Sequence, residues 1–333
     1  MLLFNGLLVL QSCKSVNLRI LINILISGLG GVGGYYGGKL AQAYAKSESV
    51  AIYFIARGEH KEAIERNGLR IQSTWENFTV RPKGLSDKAE ELGIKADYIL
   101  CCTKDYDLEE NIRSLLPVID RRTIIVPLLN GANIRERITS VLPDNEVWCG
   151  LTYIVAMKAG AGVIENALEH PTLYFGSPAG RHPREKELEE ILQAAGINGE
   201  CREDILYQVW KKYILISASA SSTSYFDKPT RVVIETETET FRSLLKEAIS
   251  VAQANGVDIS EEMCQHVLDH FWKNDFTTTT SMHRDFMAGG KTELESLCGY
   301  LVREGDRLGI PVPMYRKIYQ VLLSKEKRPK NGV

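Results

Sequence analysis

The chain has 333 residues, 44% of them hydrophobic and 25% charged, with 40 Lys and Arg against 42 Asp and Glu. That apolar content suffices for two packed domains, while the near-even charge balance offers no footprint for nucleic acid or an anionic membrane. No apolar stretch approaches the ~18 residues of a membrane span, and the seven cysteines show no C-x-x-C spacing, as befits reduced thiols of a cytoplasmic protein rather than a disulfide framework or a zinc site.

Residues 1–18 open with the apolar "MLLFNGLLVLQSC". Leu10-Gln11-Ser12-Cys13 loosely resembles a lipoprotein processing box, but no Lys or Arg stands ahead of the apolar part as an export signal requires. The expectation is a disordered or over-called extension in front of the fold. Leu21 to Ser27 is a run of Leu and Ile that suits a central strand buried on both faces. It runs into Gly28-Leu29-Gly30-Gly31-Val32-Gly33, a G-x-G-x-x-G loop followed by a helical segment. In that setting Gly28 permits the tight turn, Gly30 lets a pyrophosphate approach the backbone, and Gly33 lets the helix pack close to the strand. The N–H groups at the helix start favour anionic phosphates. The six loop residues are therefore assigned to a dinucleotide. The alternative is a glycine-rich turn without a ligand.

The next strand, "VAIYFIAR", ends on Arg57 where an NAD site usually carries Asp or Glu. Arg57 suits a 2′-phosphate, which points to NADPH; the alternative is a solvated strand end. Tyr35 and Lys39 have the Y-x-x-x-K spacing of a short-chain dehydrogenase, but they lie on the first helix, facing away from a nicotinamide.

The α/β alternation continues through a helix at 59–67, strand-like pieces at 69–73 and 78–82, the buried strand "ADYILCCTK", a helix entered through Asp105, the strand "RTIIVPLLNG" and the helix "ANIRERITSVL". Three β segments, a helix and a short strand close this half. The fold class is thus an α/β Rossmann-type dinucleotide-binding domain over 19–201, a doubly wound parallel sheet with appended antiparallel strands. From 202 to 328 every strong pattern is helical, which predicts an all-helical substrate-binding domain.

Ligands of open α/β sheets bind beyond the carboxyl ends of the strands, which is the address of Lys104 and Asn130. Lys212, Ser281 and Glu293 stand out in the helical half. Singly, the lysines read equally as solvated charges, Ser281 as a helix cap and Glu293 as a first-turn carboxylate. His266 and His270 have the spacing of a metal-ligand pair, but no third ligand accompanies them and no metal is expected.

Taken together, "GLGGVGG", Arg57-Gly58, Thr103-Lys104, "LLNGAN", "VWKKY" and "KTELESLCGYLVREGDRLGIPVP" occur in this order. The chain thereby resembles the ketopantoate reductases (2-dehydropantoate 2-reductases) over roughly residues 20–325. The resemblance implies NADPH reducing a small 2-oxo acid in the cleft between the halves, in pantothenate biosynthesis, with a homodimer as one possible assembly. It makes Lys212 the general acid and Glu293 the glutamate that binds the substrate hydroxyl and supports that lysine. Asn130 and Ser281 become groups that hold substrate and nicotinamide, and Lys104 a lysine on the cofactor side. Ile216 and Ala220 depart from the pattern, since the family usually presents Asn there, one and two helical turns after the lysine. Losing a buried hydrogen bond of that kind costs ~1–3 kcal/mol. A more apolar 2-oxo acid, or a non-catalytic NADPH-binding protein of the same fold, are the alternatives; Ser217 or Ser219 replacing the lost amide, or a small-residue packing ridge, are the two readings of the helix.

Overall fold

The computed structural model describes residues 21–273 and 275–326; the expected extension at 1–18 lies outside them. Six parallel strands form the central sheet in the order Gly84–Ser86, Val50–Ile55, Ile22–Ser27, Tyr98–Cys101, Ile124–Pro127, Glu146–Val147. The strand Ile22–Ser27 sits mid-sheet, and Ile24, Leu25 and Ile26 are fully buried, which is what a run of Leu and Ile requires. Helices lie on both faces, with separate apolar clusters above and below.

The appended strands do not join this sheet. Ala156–Gly160, Val163–Asn166, Leu69–Gln72 and Asn77–Val80 form a four-stranded sheet of their own, and Asn198–Cys201, Thr172–Gly176 and Cys149–Tyr153 a three-stranded one. The helix Gly31–Ala43 lies between the central and the four-stranded sheet. A Cβ at Gly37 would stand 3.0 Å from Phe54 and 3.1 Å from Ile26 of the central sheet, and one at Gly34 or Gly38 within 2.5–2.7 Å of Ile164 or Ile71 of the other. This second contact explains the glycines that the phosphate-loop pattern does not. It also removes Tyr35 and Lys39 from any active site: Lys39 pairs with Glu76 at 2.8 Å, beside the four-stranded sheet.

The helical half begins with the 22-residue helix Ile205–Phe226. Its run of small residues is a packing ridge: Ser219, Ser222 and Thr223 donate to carbonyls one turn back, and Ser217 bonds the Tyr315 hydroxyl at 2.9 Å. The polar stretch "ETETET" holds a break at Glu237 between the helices Thr230–Thr236 and Thr238–Ala254. Helices Met263–Trp272, Ser281–Ala288, Tyr300–Leu308 and Pro313–Glu326 complete the half around a single apolar cluster. The segment before Tyr300 is a π-helical turn, Glu295–Gly299, where a regular helix is the simplest expectation; such turns are frequent at functional sites. Among the described residues no helix is long and apolar enough to cross a membrane.

Candidate active site

The glycine loop has the shape that its sequence requires. Gly28 has φ +92°, open to glycine alone without strain, and a Cβ there would stand 2.8 Å from the backbone of Cys102 and Thr103 at the neighbouring strand end. A Cβ on Gly33 would lie 2.1 Å from the Gly28 carbonyl oxygen. At Gly30, which caps the helix, a Cβ would meet nothing within 4 Å. A closed turn, a close helix and an open edge at the helix N-terminus together fit a dinucleotide pyrophosphate. Arg57 lies two positions past the end of the second strand and caps the helix Gly58–Asn67; it is exposed and makes no ion pair among the described residues.

The carboxyl ends of the next two strands deliver Lys104 and Asn130. The Asn130 amide oxygen accepts a hydrogen bond from Lys212 Nζ at 3.0 Å, joining the sheet to the long helix. Lys212 is only 9% exposed, and burial pulls its pKa down from 10.5 to about 8 against the opposing pull of the Glu293 charge. The same ammonium lies 6.0 Å from the centre of the Tyr153 ring. Across the cleft, Glu293 is 3% exposed and its Oε2 lies 3.1 Å from Lys104 Nζ, which also reaches Asp285 at 3.3 Å. Burial pushes the Glu293 pKa up, with Lys104 holding it back. For Lys104, burial is outweighed by its two carboxylate partners, and its pKa is raised.

Lys104, Asn130, Lys212 and Glu293 are thus drawn into one cleft, but not in the pairs expected. Glu293 bonds Lys104 rather than Lys212. Ser281 begins the helix Ser281–Ala288; the cap is Thr280, whose hydroxyl accepts from the His283 N–H at 3.3 Å, so the Ser281 hydroxyl is left unpaired among the described residues. One turn on, that helix presents Asp285 to Lys104. Asp285 went unnoticed in the sequence because nothing in its spacing separates it from a solvated helix face. Asp105 does enter a helix, opening the short turn Asp105–Asp107 that leads into Leu108–Ser114, and its carboxyl also accepts from the Ser296 hydroxyl of the π-helical turn.

Ile216 stands on the wall of the small cavity around Lys212, with Leu129, Leu151 and Val209. Ala220 is 2% exposed within the helical core. Neither Ser217 nor Ser219 replaces a missing amide, because both hydroxyls are bonded within the helical half. His266 and His270 are both exposed on their helix, and among the described residues no group of three or more His, Cys, Asp or Glu could hold a metal ion.

Comparison with known proteins decides the family. The model described as ketopantoate reductase PanE/ApbA matches residues 24–180, and that of its C-terminal part matches 204–326. The chain belongs to the ketopantoate reductase family. The uncharacterized oxidoreductase YkpB of Bacillus subtilis is 29% identical over 90% of this chain and 97% of its own. The crystal structure of 2-dehydropantoate 2-reductase from Porphyromonas gingivalis W83 superposes with a TM-score of 0.81 at 37% identity, covering 91% of this chain and 99% of that one. A D-mandelate dehydrogenase solved with NADH and anilino(oxo)acetate shares the fold, with a TM-score of 0.80 at 21% identity over 92% of this chain and 98% of that one. The family is one of NAD(P)H-dependent oxidoreductases acting on 2-oxo acids.

Proposed function

We propose that this protein uses NADPH to reduce ketopantoate to pantoate, a cytoplasmic step of pantothenate and coenzyme A biosynthesis, with residues 19–201 binding the dinucleotide and 202–328 completing the substrate site. The observation that carries the reading is Lys212, a desolvated lysine hydrogen-bonded to a neutral amide at the carboxyl edge of a dinucleotide-binding sheet.

When bound, the reduced nicotinamide supplies the hydride. Lys212 Nζ holds the proton that the ketone oxygen takes up as it becomes a hydroxyl. An ammonium with a pKa of about 8 donates near neutral pH more readily than an ordinary lysine, and its charge stabilises the developing alkoxide. Asn130 orients that ammonium. Glu293 is assigned to the substrate hydroxyl, Ser281 to the substrate, and Lys104 to the cofactor side, where it fixes the Glu293 carboxylate. Gly28, Leu29, Gly30, Gly31, Val32 and Gly33 would cradle the pyrophosphate, and Asn130 would also help to hold the nicotinamide.

A second reading has its own support. Ile216 puts an apolar side chain beside Lys212 where the family usually presents Asn, which favours a 2-oxo acid with an alkyl or aryl side chain over one carrying a hydroxyl. NADPH oxidation measured with ketopantoate, 2-oxoisovalerate and phenylglyoxylate separates the two. Highest kcat/KM with ketopantoate supports the first reading; preference for the others moves the assignment to the second. No turnover with any 2-oxo acid despite NADPH binding rejects both. In the same assay Arg57→Ala is expected to raise the NADPH KM about tenfold or more and leave that for NADH unchanged, since a lost charge-assisted contact costs about 1.5–3 kcal/mol. Equal effects on both cofactors would remove the 2′-phosphate role.

A further inference from the structure

The three charged groups of the cleft stand on separate segments: Lys104 after a strand of the central sheet, Lys212 in the long helix, Glu293 ahead of the π-helical turn. A single buried residue touches the neighbours of two of them and lies three positions after the third. Ser296 is 3% exposed. Its hydroxyl donates to the carboxyl of Asp105, next to Lys104. Its carbonyl accepts from the hydroxyl of Tyr213, next to Lys212, at 2.8 Å. Arg137 closes the joint by donating to the Asp105 carbonyl at 2.7 Å and to the Ser296 hydroxyl at 3.3 Å. Its guanidinium is held in turn by both oxygens of Glu109, at 2.7 and 2.8 Å.

The joint is built of groups that a core avoids unless they are paired. Asp105 is 2% exposed, and its Oδ1 has no hydrogen-bond partner among the described residues. A buried carboxyl with one bare oxygen weakens the fold, and an apolar contact at the same place would not. Burial raises the Asp105 pKa, with Ser296 and Arg137 pulling the other way, and its charge in turn opposes ionisation of Glu293.

We propose that Asp105 and Ser296 are positioning residues of the reaction: their hydrogen bond across the cleft holds Lys104 and Glu293 in register with Lys212 and keeps the Asp105 carboxyl within electrostatic reach of Glu293. The charged groups acting on Glu293 are then Lys104 and its neighbour Asp105, Asp285 and Lys212, from three segments. This rests on the reductase reading above.

The test compares wild type with Asp105→Asn, Ser296→Ala and Ser296→Thr in kcat, KM and pH profile, with thermal unfolding as the control for folding. Asp105→Asn still accepts from Ser296 but removes a like charge, so the acidic limb of the profile moves to lower pH, by roughly half a unit to one. Ser296→Ala lowers kcat about tenfold or more with an unchanged acidic limb, and Ser296→Thr, which keeps the hydroxyl, restores most of it. An unmoved acidic limb in Asp105→Asn overturns the electrostatic arm, and an unchanged kcat in Ser296→Ala overturns the positioning arm. If Ser296→Ala does not fold, the near-isosteric Ser296→Cys, whose thiol is only a weak donor, decides the positioning arm by the same fall in kcat. A wild type that reduces no 2-oxo acid sinks the reductase reading separately. The joint is then read from the Glu293 carboxyl titration by 13C NMR, which a working joint displaces between wild type and Asp105→Asn.

Discussion

Two lysines face the same cleft from opposite sides, and their surroundings give them opposite properties. Lys212 is buried against a neutral amide, with its nearest opposing charge not hydrogen-bonded to it. Lys104, with its side chain 42% exposed, bonds two carboxylates. Burial with little compensation lowers one pKa to about 8; partners that outweigh burial raise the other. The first lysine is able to part with a proton near neutral pH, and the second stays charged throughout. Identical side chains are thus separated into a proton donor and a fixed charge by what lies within a few ångströms of each.

The sharpest way to break this contrast is Lys212→Met. With the proton donor and the alkoxide-stabilising charge both gone, kcat is expected to fall about 10³-fold or more. The same substitution should stabilise the fold. The folded-state pKa lies below the ordinary 10.5, so the charged form is disfavoured by folding, and a displacement to about 8 costs about 3 kcal/mol at neutral pH. The sign follows: the penalty is full below pH 8 and fades as pH rises towards 10.5. Calorimetry at pH 7 and again near pH 10 should show Lys212→Met gaining stability at the lower pH and much less at the higher. A destabilised variant at pH 7 would mean that Lys212 is not held against its preference.

Glu293→Gln acts on both lysines at once. It removes the charge that raises the Lys212 pKa, so the alkaline limb of kcat/KM, which falls as Lys212 loses its proton above about pH 8, should move to lower pH. Loss of the carboxylate on the substrate hydroxyl should also lower kcat about 10²-fold. An alkaline limb displaced upward would contradict the electrostatic link between the two groups.

How much of this was legible beforehand divides along the same line. The buried strand and the glycines of the phosphate loop could be read because each answers a local steric demand; Gly28 and Gly33 meet backbone atoms of their own strand-turn-helix unit or the adjacent strand. Strand ends and the family resemblance mark the places of Lys104, Asn130, Lys212 and Glu293, and the structure brings all four to one cleft. Their pairing is not so marked, because whether Glu293 bonds Lys104 or Lys212 depends on how two segments of the helical half, 81 positions apart along the chain at Lys212 and Glu293, settle against the sheet. The helix Gly31–Ala43 shows the same limit: Gly34 and Gly38 answer to a second sheet, drawn from residues 69–80 and 156–166, which the local pattern does not reveal. Asp285, Asp105 and Ser296 were missed for want of any local signature, since acidic and small polar residues on helices are ordinary surface composition.

The smallest expected effect tests whether exposure, rather than partnership alone, sets the worth of a contact to Lys104. Asp285 and Glu293 approach that ammonium at nearly the same distance, 3.3 and 3.1 Å, but their side chains are 33% and 4% exposed. Water screens the Asp285 pair, and solvent-accessible pairs of this kind contribute about 0–1 kcal/mol. Asp285→Asn should therefore change kcat/KM by about fivefold at most and leave the alkaline limb where it was, because its charge is not among those acting on Lys212. Glu293, shut away from water, cannot be replaced so cheaply: its loss leaves Lys104 with a single screened partner and strips Lys212 of its balancing charge. Steady-state profiles of the two variants side by side make the comparison. If Asp285→Asn proves as damaging as Glu293→Gln, burial does not distinguish the two carboxylates, and Asp285 takes part in the reaction directly.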